Sequence, residues 1–144
     1  MKKIAFALCL VMALFCSCQE NNNDPEIPQN PLLGSWELGY WETYNLDNNE
    51  MLESGVEVPD DDWFTSLNIK ENTCEIGFGG ETVEVQYTVI NNSLVFIVED
   101  NNYSLTLPIV SLSGERLTIS KNEFLNDGSG NEVNGQIMLY YDKK

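Results

Sequence analysis

The sequence contains no histidine and few positive charges. Histidine is the commonest general base and a common zinc ligand, so its absence excludes the usual hydrolytic triads and many zinc sites. Lysine and arginine total 7 against 23 aspartates and glutamates, which gives a formal net charge of −16. Nucleic-acid binding without sequence preference needs a basic surface, so we expect no nucleic-acid partner.

Long apolar runs are also scarce. The run from Ile4 to Phe15 is unbroken, but it is shorter than the about 20 residues that a membrane-spanning helix needs. Lys2 and Lys3 precede this run, and small or compact residues follow it. That arrangement is typical of a cleaved signal peptide, which we assign to residues 1–17.

The end of this segment, Phe15-Cys16-Ser17-Cys18, resembles the lipobox of bacterial lipoproteins. The resemblance implies cleavage after Ser17 and attachment of lipid, with acyl chains such as palmitate, at Cys18. In that family, Gln19 directly after the cysteine implies the outer membrane. The alternative is an ordinary secretory signal with a released product. We favour a protein that is lipid-anchored at the outer membrane or cell surface of a Gram-negative bacterium.

Few cysteines remain after processing. Cys9 and Cys16 leave with the signal peptide and Cys18 is acylated, so Cys74 is alone. No intrachain disulfide is then possible, and we expect Cys74 to behave as a small buried apolar residue.

Residues 18–31 form a polar spacer rich in asparagine, proline and acidic residues. Prolines 25, 28 and 31 favour an extended chain, which reaches at most about 45 Å over this length. We therefore predict a flexible tether at 18–31 and a folded domain at 32–142.

Apolar and polar residues alternate with period two from Leu32 to Tyr141, with short turn clusters between the runs. The alternation predicts an all-β domain of eight strands, and the polar stretch from Asn45 to Asp62 has room for a short strand around Met51. Short hairpins make consecutive strands antiparallel neighbours. Such an up-and-down meander closes into a barrel or stays open as a sandwich. We favour the barrel because closure removes exposed edges.

Leu33-Gly34-Ser35-Trp36 carries the Gly-x-Trp that opens lipocalin and lipocalin-like barrels. Segments 66–74, 87–94 and 109–119 resemble later hairpins of these barrels, in the same order. Over residues 32–142 the chain thus resembles a small bacterial lipocalin-like lipoprotein, which implies an antiparallel eight-stranded barrel of the calycin type.

The glycine and the tryptophan of this motif have physical roles. Glycine lets the chain cross beneath the barrel without a Cβ clash, and Trp36 closes the floor with a large ring. In lipocalins an arginine from the last strand stacks on that ring. The last strand predicted here, Val133 to Tyr141, contains no arginine.

An eight-stranded barrel is filled by side chains or holds one small ligand. Many of the side chains predicted to point into the barrel are large aromatic rings. Because such rings tend to fill a barrel this small, we expect only a modest cleft at one mouth. The members of this predicted inward set are Trp36, Tyr40, Trp63, Phe78, Tyr87, Phe96, Tyr103 and Tyr141. The resemblance favours a binding protein for a small apolar or amphipathic molecule. The candidate ligand-binding residues are Trp36, Tyr40, Tyr87, Phe96 and Tyr103. For any single one of the three tyrosines we favour core packing, with the hydroxyl bonded at a rim.

Two other functions stay open. The first is a filled-barrel structural or protein-interaction subunit of the cell envelope, with a protein partner and no small ligand. The second is an enzyme, which would need paired carboxylates such as those of Asp60-Asp61-Asp62. Adjacent acids in a polar loop are more often a solvated surface. The turn 127–132 fails the EF-hand pattern because Glu132 stands where glycine is needed. We expect no catalytic residue, no metal, no cofactor and no enzymatic activity.

Overall fold

The computed structural model describes residues 30–98 and 103–144, without the side chains of residues 98 and 103. All helices and strands assigned in these residues are β-strands, so this part of the chain contains no helix. They are β1 (Gly34–Asn45), β2 (Glu50–Gly55), β3 (Ser66–Ile69), β4 (Thr73–Phe78), β5 (Glu81–Ile90), β6 (Ser93–Val98), β7 (Tyr103–Leu112), β8 (Arg116–Asn126) and β9 (Glu132–Lys143).

Eight of these strands form a closed antiparallel barrel. β3 to β9 pair in sequence order, and β1 joins the two ends by pairing with both β3 and β9. The predicted all-β meander is confirmed, and its closure excludes the open sandwich. Closure pairs the two strands that would otherwise expose their edges.

The short strand predicted around Met51 is β2, which lies outside the ring. It pairs with the second half of β1, Trp41 to Asn45, whereas β3 pairs with the first half. β8 also continues past Ile119, the last of its residues that pairs with β7. Along this extra length β8 pairs with β9 alone. A four-stranded extension results, which we call the mouth ribbon: β2, residues 40–45, residues 120–126 and residues 132–140.

A β-bulge at Gly39 changes which side chains of β1 face inward. The pairing with β9 shifts register between Leu38 and Tyr40. Because strand side chains alternate, one extra residue exchanges the two faces beyond it. Trp36 and Trp41 are therefore both buried, and Tyr40 is 36% exposed on the outer surface. The predicted inward position of Tyr40 is wrong for this reason.

Trp36 closes one end of the barrel. Its side chain is 1% exposed, and its Nε1 donates a hydrogen bond of 2.8 Å to the Leu32 carbonyl. Lys143 Nζ lies 5.0 Å from the centre of the Trp36 ring. β9 runs two residues further than predicted, and its Lys143 contacts the ring that an arginine contacts in lipocalins. Gly34 has a φ of 128°, and a Cβ there would come within 3.0 Å of Lys143 Cε.

The middle of the barrel is filled by side chains. Its fully buried members come from almost every strand of the ring: Leu67, Cys74, Leu94, Phe96, Leu107, Leu117, Ile119 and Tyr141. Cys74 is buried as predicted, and burial, with a smaller effect of the Glu75 charge, raises the pKa of its thiol to about 12. The thiol therefore stays protonated and unreactive at neutral pH.

Candidate ligand site at the barrel mouth

A loop of residues 56–65 crosses the end of the barrel opposite Trp36; we call it the mouth loop. Trp41 Nε1 donates a 2.9 Å hydrogen bond to the Glu57 carbonyl near the start of the loop. Near its end, the hydroxyl of the buried Tyr141 donates a 2.8 Å hydrogen bond to the Phe64 carbonyl. Both ends of the loop are thus held by aromatic donors from the barrel wall.

Two aromatic contacts hold the loop against the barrel. The Trp63 ring lies 4.9 Å from the Trp41 ring at an interplanar angle of 59°, and Phe64 lies 6.3 Å from Phe78. These tilted arrangements are the ones that aromatic quadrupoles favour. The predicted inward positions of Trp63 and Phe78 are confirmed in part, because both pack half-buried against the core at the mouth.

A cleft of about 170 Å³ lies between the mouth loop and strands β8 and β9. A second cleft of about 300 Å³ continues from it along the inner face of the mouth ribbon, sharing Asp60, Trp63 and Glu123. We call the two together the mouth cleft. Its apolar lining is formed by Trp41, Leu52, Trp63, Phe64, Leu125, Ile137 and Leu139.

The polar lining of the mouth cleft is mostly acidic. Lys121 forms an ion pair with Glu123, two positions further along β8, and both side chains are about one-third exposed at 38% and 33%. The other carboxylates of the lining belong to Glu53, Asp60, Asp62 and Asp127. Hydrogen bonds from the Asn131 side chain, and then from backbone amides, lower the pKa of Asp127, so this carboxylate stays ionised at neutral pH.

The predicted ligand-binding residues do not meet in this cleft. Trp36 and Phe96 are buried in the barrel, and the Tyr87 hydroxyl donates a 2.7 Å hydrogen bond to the Lys70 carbonyl at the closed end. Tyr40 lies on the outer surface. The side chain of Tyr103 and the whole of Cys18 lie outside the described residues, and their assigned roles remain predictions.

The cleft uses residues that the sequence interpretation did not single out, above all Lys121 and Glu123. The sequence nevertheless contained a signal for these two residues, because positions 117, 119, 121, 123 and 125 lie on one face of β8 by period-two alternation. Two charged residues on a face that begins with Leu117 and Ile119 indicate that the face leaves the core and reaches solvent.

In the acidic segments 60–62 and 127–132, aspartate carboxylates accept hydrogen bonds from backbone amides of the same turn. Asp60 Oδ1 accepts the Asp62 amide at 3.0 Å, and Asp127 accepts the amides of Ser129 and Asn131 at 2.8 and 3.1 Å. Within the described ranges, 30–98 and 103–144, no group of three His, Cys, Asp or Glu side chains is arranged to hold a metal ion.

Tyr141→Phe tests the attachment of the mouth loop. The substitution removes the donor to the Phe64 carbonyl and leaves that carbonyl without its partner. The expected loss is about 1–2 kcal/mol of unfolding free energy, with faster amide hydrogen exchange in residues 56–65. Tyr87→Phe is the matched control, because it removes a similar hydrogen bond at the closed end. Equal exchange of the loop in the two variants would contradict the role of Tyr141.

No family model matches the chain, and no curated protein matches it. The part of the chain that the structure describes contains no helix with the length and apolar character needed to cross a membrane. The strand pairing alone identifies the architecture. It is an all-β, eight-stranded antiparallel barrel, consistent with the calycin-like fold, with a cleft at its open end.

Proposed function

We propose that this chain is a lipid-anchored, lipocalin-like binding protein of the bacterial envelope, which takes up a small amphipathic molecule in the mouth cleft. The observation that carries the proposal is the cleft's division into an apolar floor and a charged rim. Ligand pockets commonly combine such an apolar lining with a few convergent polar groups.

The packed barrel interior limits how deep a ligand can enter. Leu117, Ile119 and Tyr141 fill the axis below the cleft. The apolar part of the ligand would therefore lie on Trp63, Ile137 and Leu139, and its polar group would face Lys121 and Glu123 at the rim. The cleft volumes suit a compact molecule rather than a long acyl chain.

The place where the described chain enters the barrel supports a site that faces away from the membrane. The described chain begins at Asn30, and Leu32 lies against Trp36 at the closed end. A lipid on Cys18, followed by the predicted tether, would attach the barrel to a membrane by this closed end. The mouth cleft would then face away from the membrane.

Trp63→Ala tests the cleft. Nile red, a neutral amphipathic dye, is expected to bind the full chain with enhanced, blue-shifted fluorescence. Removing the Trp63 ring should weaken this binding about tenfold, because a large part of the apolar surface is lost. Phe124→Ala is the control, since Phe124 lies on β8 beside the cleft-lining Glu123 and Leu125 but points outward and is 69% exposed. Equal dye affinities of the two variants would place the dye elsewhere.

One observation favours a second function. The described barrel interior is packed, and apolar side chains such as Ile97, Val110 and Phe124 are exposed on the outer surface. These features suit a structural or protein-interaction subunit of the envelope. Native mass spectrometry of the protein from its own source distinguishes the two functions. A retained small-molecule adduct supports the binding protein, and a bare mass favours the interaction subunit.

A further inference from the structure

The outer surface of the mouth ribbon carries a cluster of tyrosines around one carboxylate. The bulge at Gly39 turns Tyr40, Glu42 and Tyr44 outward on β1, and Tyr140 faces outward beside them on β9. The Tyr40 and Tyr140 rings lie 5.7 Å apart. This cluster lies on the opposite face of the ribbon from the mouth cleft.

Two tyrosine hydroxyls point at the same oxygen of Glu42. Tyr44 donates to Glu42 Oε2 at 2.8 Å, and Tyr140 donates to it at 2.6 Å. The hydrogen bond to Glu42 raises the pKa of Tyr44, and burial followed by this hydrogen bond raises that of Tyr140. Both hydroxyls therefore stay protonated at neutral pH and hold the carboxylate in a defined position.

A groove of about 280 Å³ lies beside these two rings. Its lining consists of Tyr44, Leu46, Asn49, Gln136, Met138 and Tyr140. Met138 is the cross-strand neighbour of Glu42. Glu42 is not itself a lining residue, but its Oε2 accepts hydrogen bonds from both tyrosines that line the groove, so the carboxylate lies beside it.

Glu42 has no positively charged partner among residues 30–98 and 103–144. The cations of these residues all lie against other groups. Lys70 pairs with Glu75 and Glu84, Arg116 with Asp142, Lys121 with Glu123, Lys144 with Glu37, and Lys143 lies over Trp36. The cluster is thus a fixed anionic site, bordered by aromatic rings, without a counterion from these residues.

Aromatic faces and a carboxylate together attract one class of ligand. A ring face attracts a cation within about 6 Å of its centre, and cages of aromatic rings recognise quaternary ammonium groups such as choline. The apolar groups around such a nitrogen would contact Met138 and Leu46. The chain's net charge of −16 also concentrates cations near its surface. We propose that this groove binds a small organic ammonium ion, at a site separate from the mouth cleft.

Choline and its neutral isostere 3,3-dimethyl-1-butanol test the proposal, because the two differ mainly in charge. Each is titrated into the ¹⁵N-labelled full chain in a maltoside detergent. Choline is expected to shift the backbone amides of residues 40–45 and 136–140, and the isostere to bind at least about tenfold more weakly. Equal binding of the isostere, or equal shifts from potassium chloride at the same concentration, overturns the proposal.

Glu42→Gln locates the site. The amide keeps an oxygen that the two hydroxyls can donate to, but it removes the charge. Choline affinity is expected to fall about tenfold in this variant and to stay unchanged in Glu81→Gln, which alters an exposed carboxylate on β5. Unchanged affinity in Glu42→Gln overturns the proposal, as does the absence of amide shifts with choline in the unmutated chain.

Discussion

Trp36→Ala is expected to lower the unfolding free energy by about 3–5 kcal/mol, the largest loss we foresee for a single substitution in this barrel. The side chain is 1% exposed and closes the floor, so alanine leaves a cavity that the closed sheet cannot fill. The hydrogen bond to the Leu32 carbonyl and the contact with Lys143 are lost as well. Urea unfolding, followed by far-ultraviolet circular dichroism, measures the change.

Two further variants separate the contributions to this loss. Trp36→Phe keeps an aromatic ring in the floor and should be less destabilising than the alanine variant. Lys143→Met keeps an apolar side chain over Trp36 but removes the charge, so it should be the mildest of the three. A loss below about 1 kcal/mol for Trp36→Ala would show that the floor does not depend on this residue.

Cys18→Ala is expected to abolish labelling by an alkynyl palmitate analogue and to release the protein from the membrane fraction. Each buried methylene contributes about 0.8 kcal/mol, so two or more acyl chains on one cysteine make dissociation negligible. Without the cysteine no thioether forms, and that stabilisation is lost completely. Metabolic labelling and membrane fractionation measure the outcome.

Cys16→Ala is the matched control, because Cys16 lies two residues earlier, behind the bulky Phe15. This variant should keep both its label and its membrane association. Label that survives in Cys18→Ala would show that the lipobox assignment is wrong, and label lost in Cys16→Ala would move the acylated residue to Cys16.

The barrel could be predicted because the sequence signals that specify it act between residues close together in the chain. Alternation along each strand selects the face to be buried, and short turns such as Asn91-Asn92 leave antiparallel pairing as the simplest connection. Both asparagines have positive φ, at 49° and 58°, as a tight hairpin requires. Trp36, Tyr87, Phe96 and Tyr141 are accordingly buried as predicted.

The bulge at Gly39 was not predictable in the same way. A bulge is decided by the partner strand, here β9, and alternation along β1 alone gives no sign of it. One extra residue turned Tyr40 outward and Trp41 inward. It therefore removed one residue from the predicted inward set and created the outer cluster around Glu42.

The candidate sites depend on residues far apart in the chain. The mouth cleft combines Trp41, the mouth loop around Trp63 and the charged residues of β8. The outer groove joins Tyr44 and Tyr140, which are brought together by the β1–β9 pairing that closes the barrel. No spacing in the sequence indicates these neighbours.

The resemblance of Gly34-Ser35-Trp36 to the opening motif of lipocalin-like barrels implied that Trp36 forms the floor. The amino-acid sequence by itself determined the class of fold and the strand-by-strand alternation. These properties follow from side-chain periodicity and turn chemistry, which act between near neighbours. Only the tertiary structure decided which side chains of β1 face inward beyond Gly39, the position of β2 outside the ring and the path of the mouth loop. Each of these depends on contacts between distant strands, and such contacts exist only once the barrel has closed.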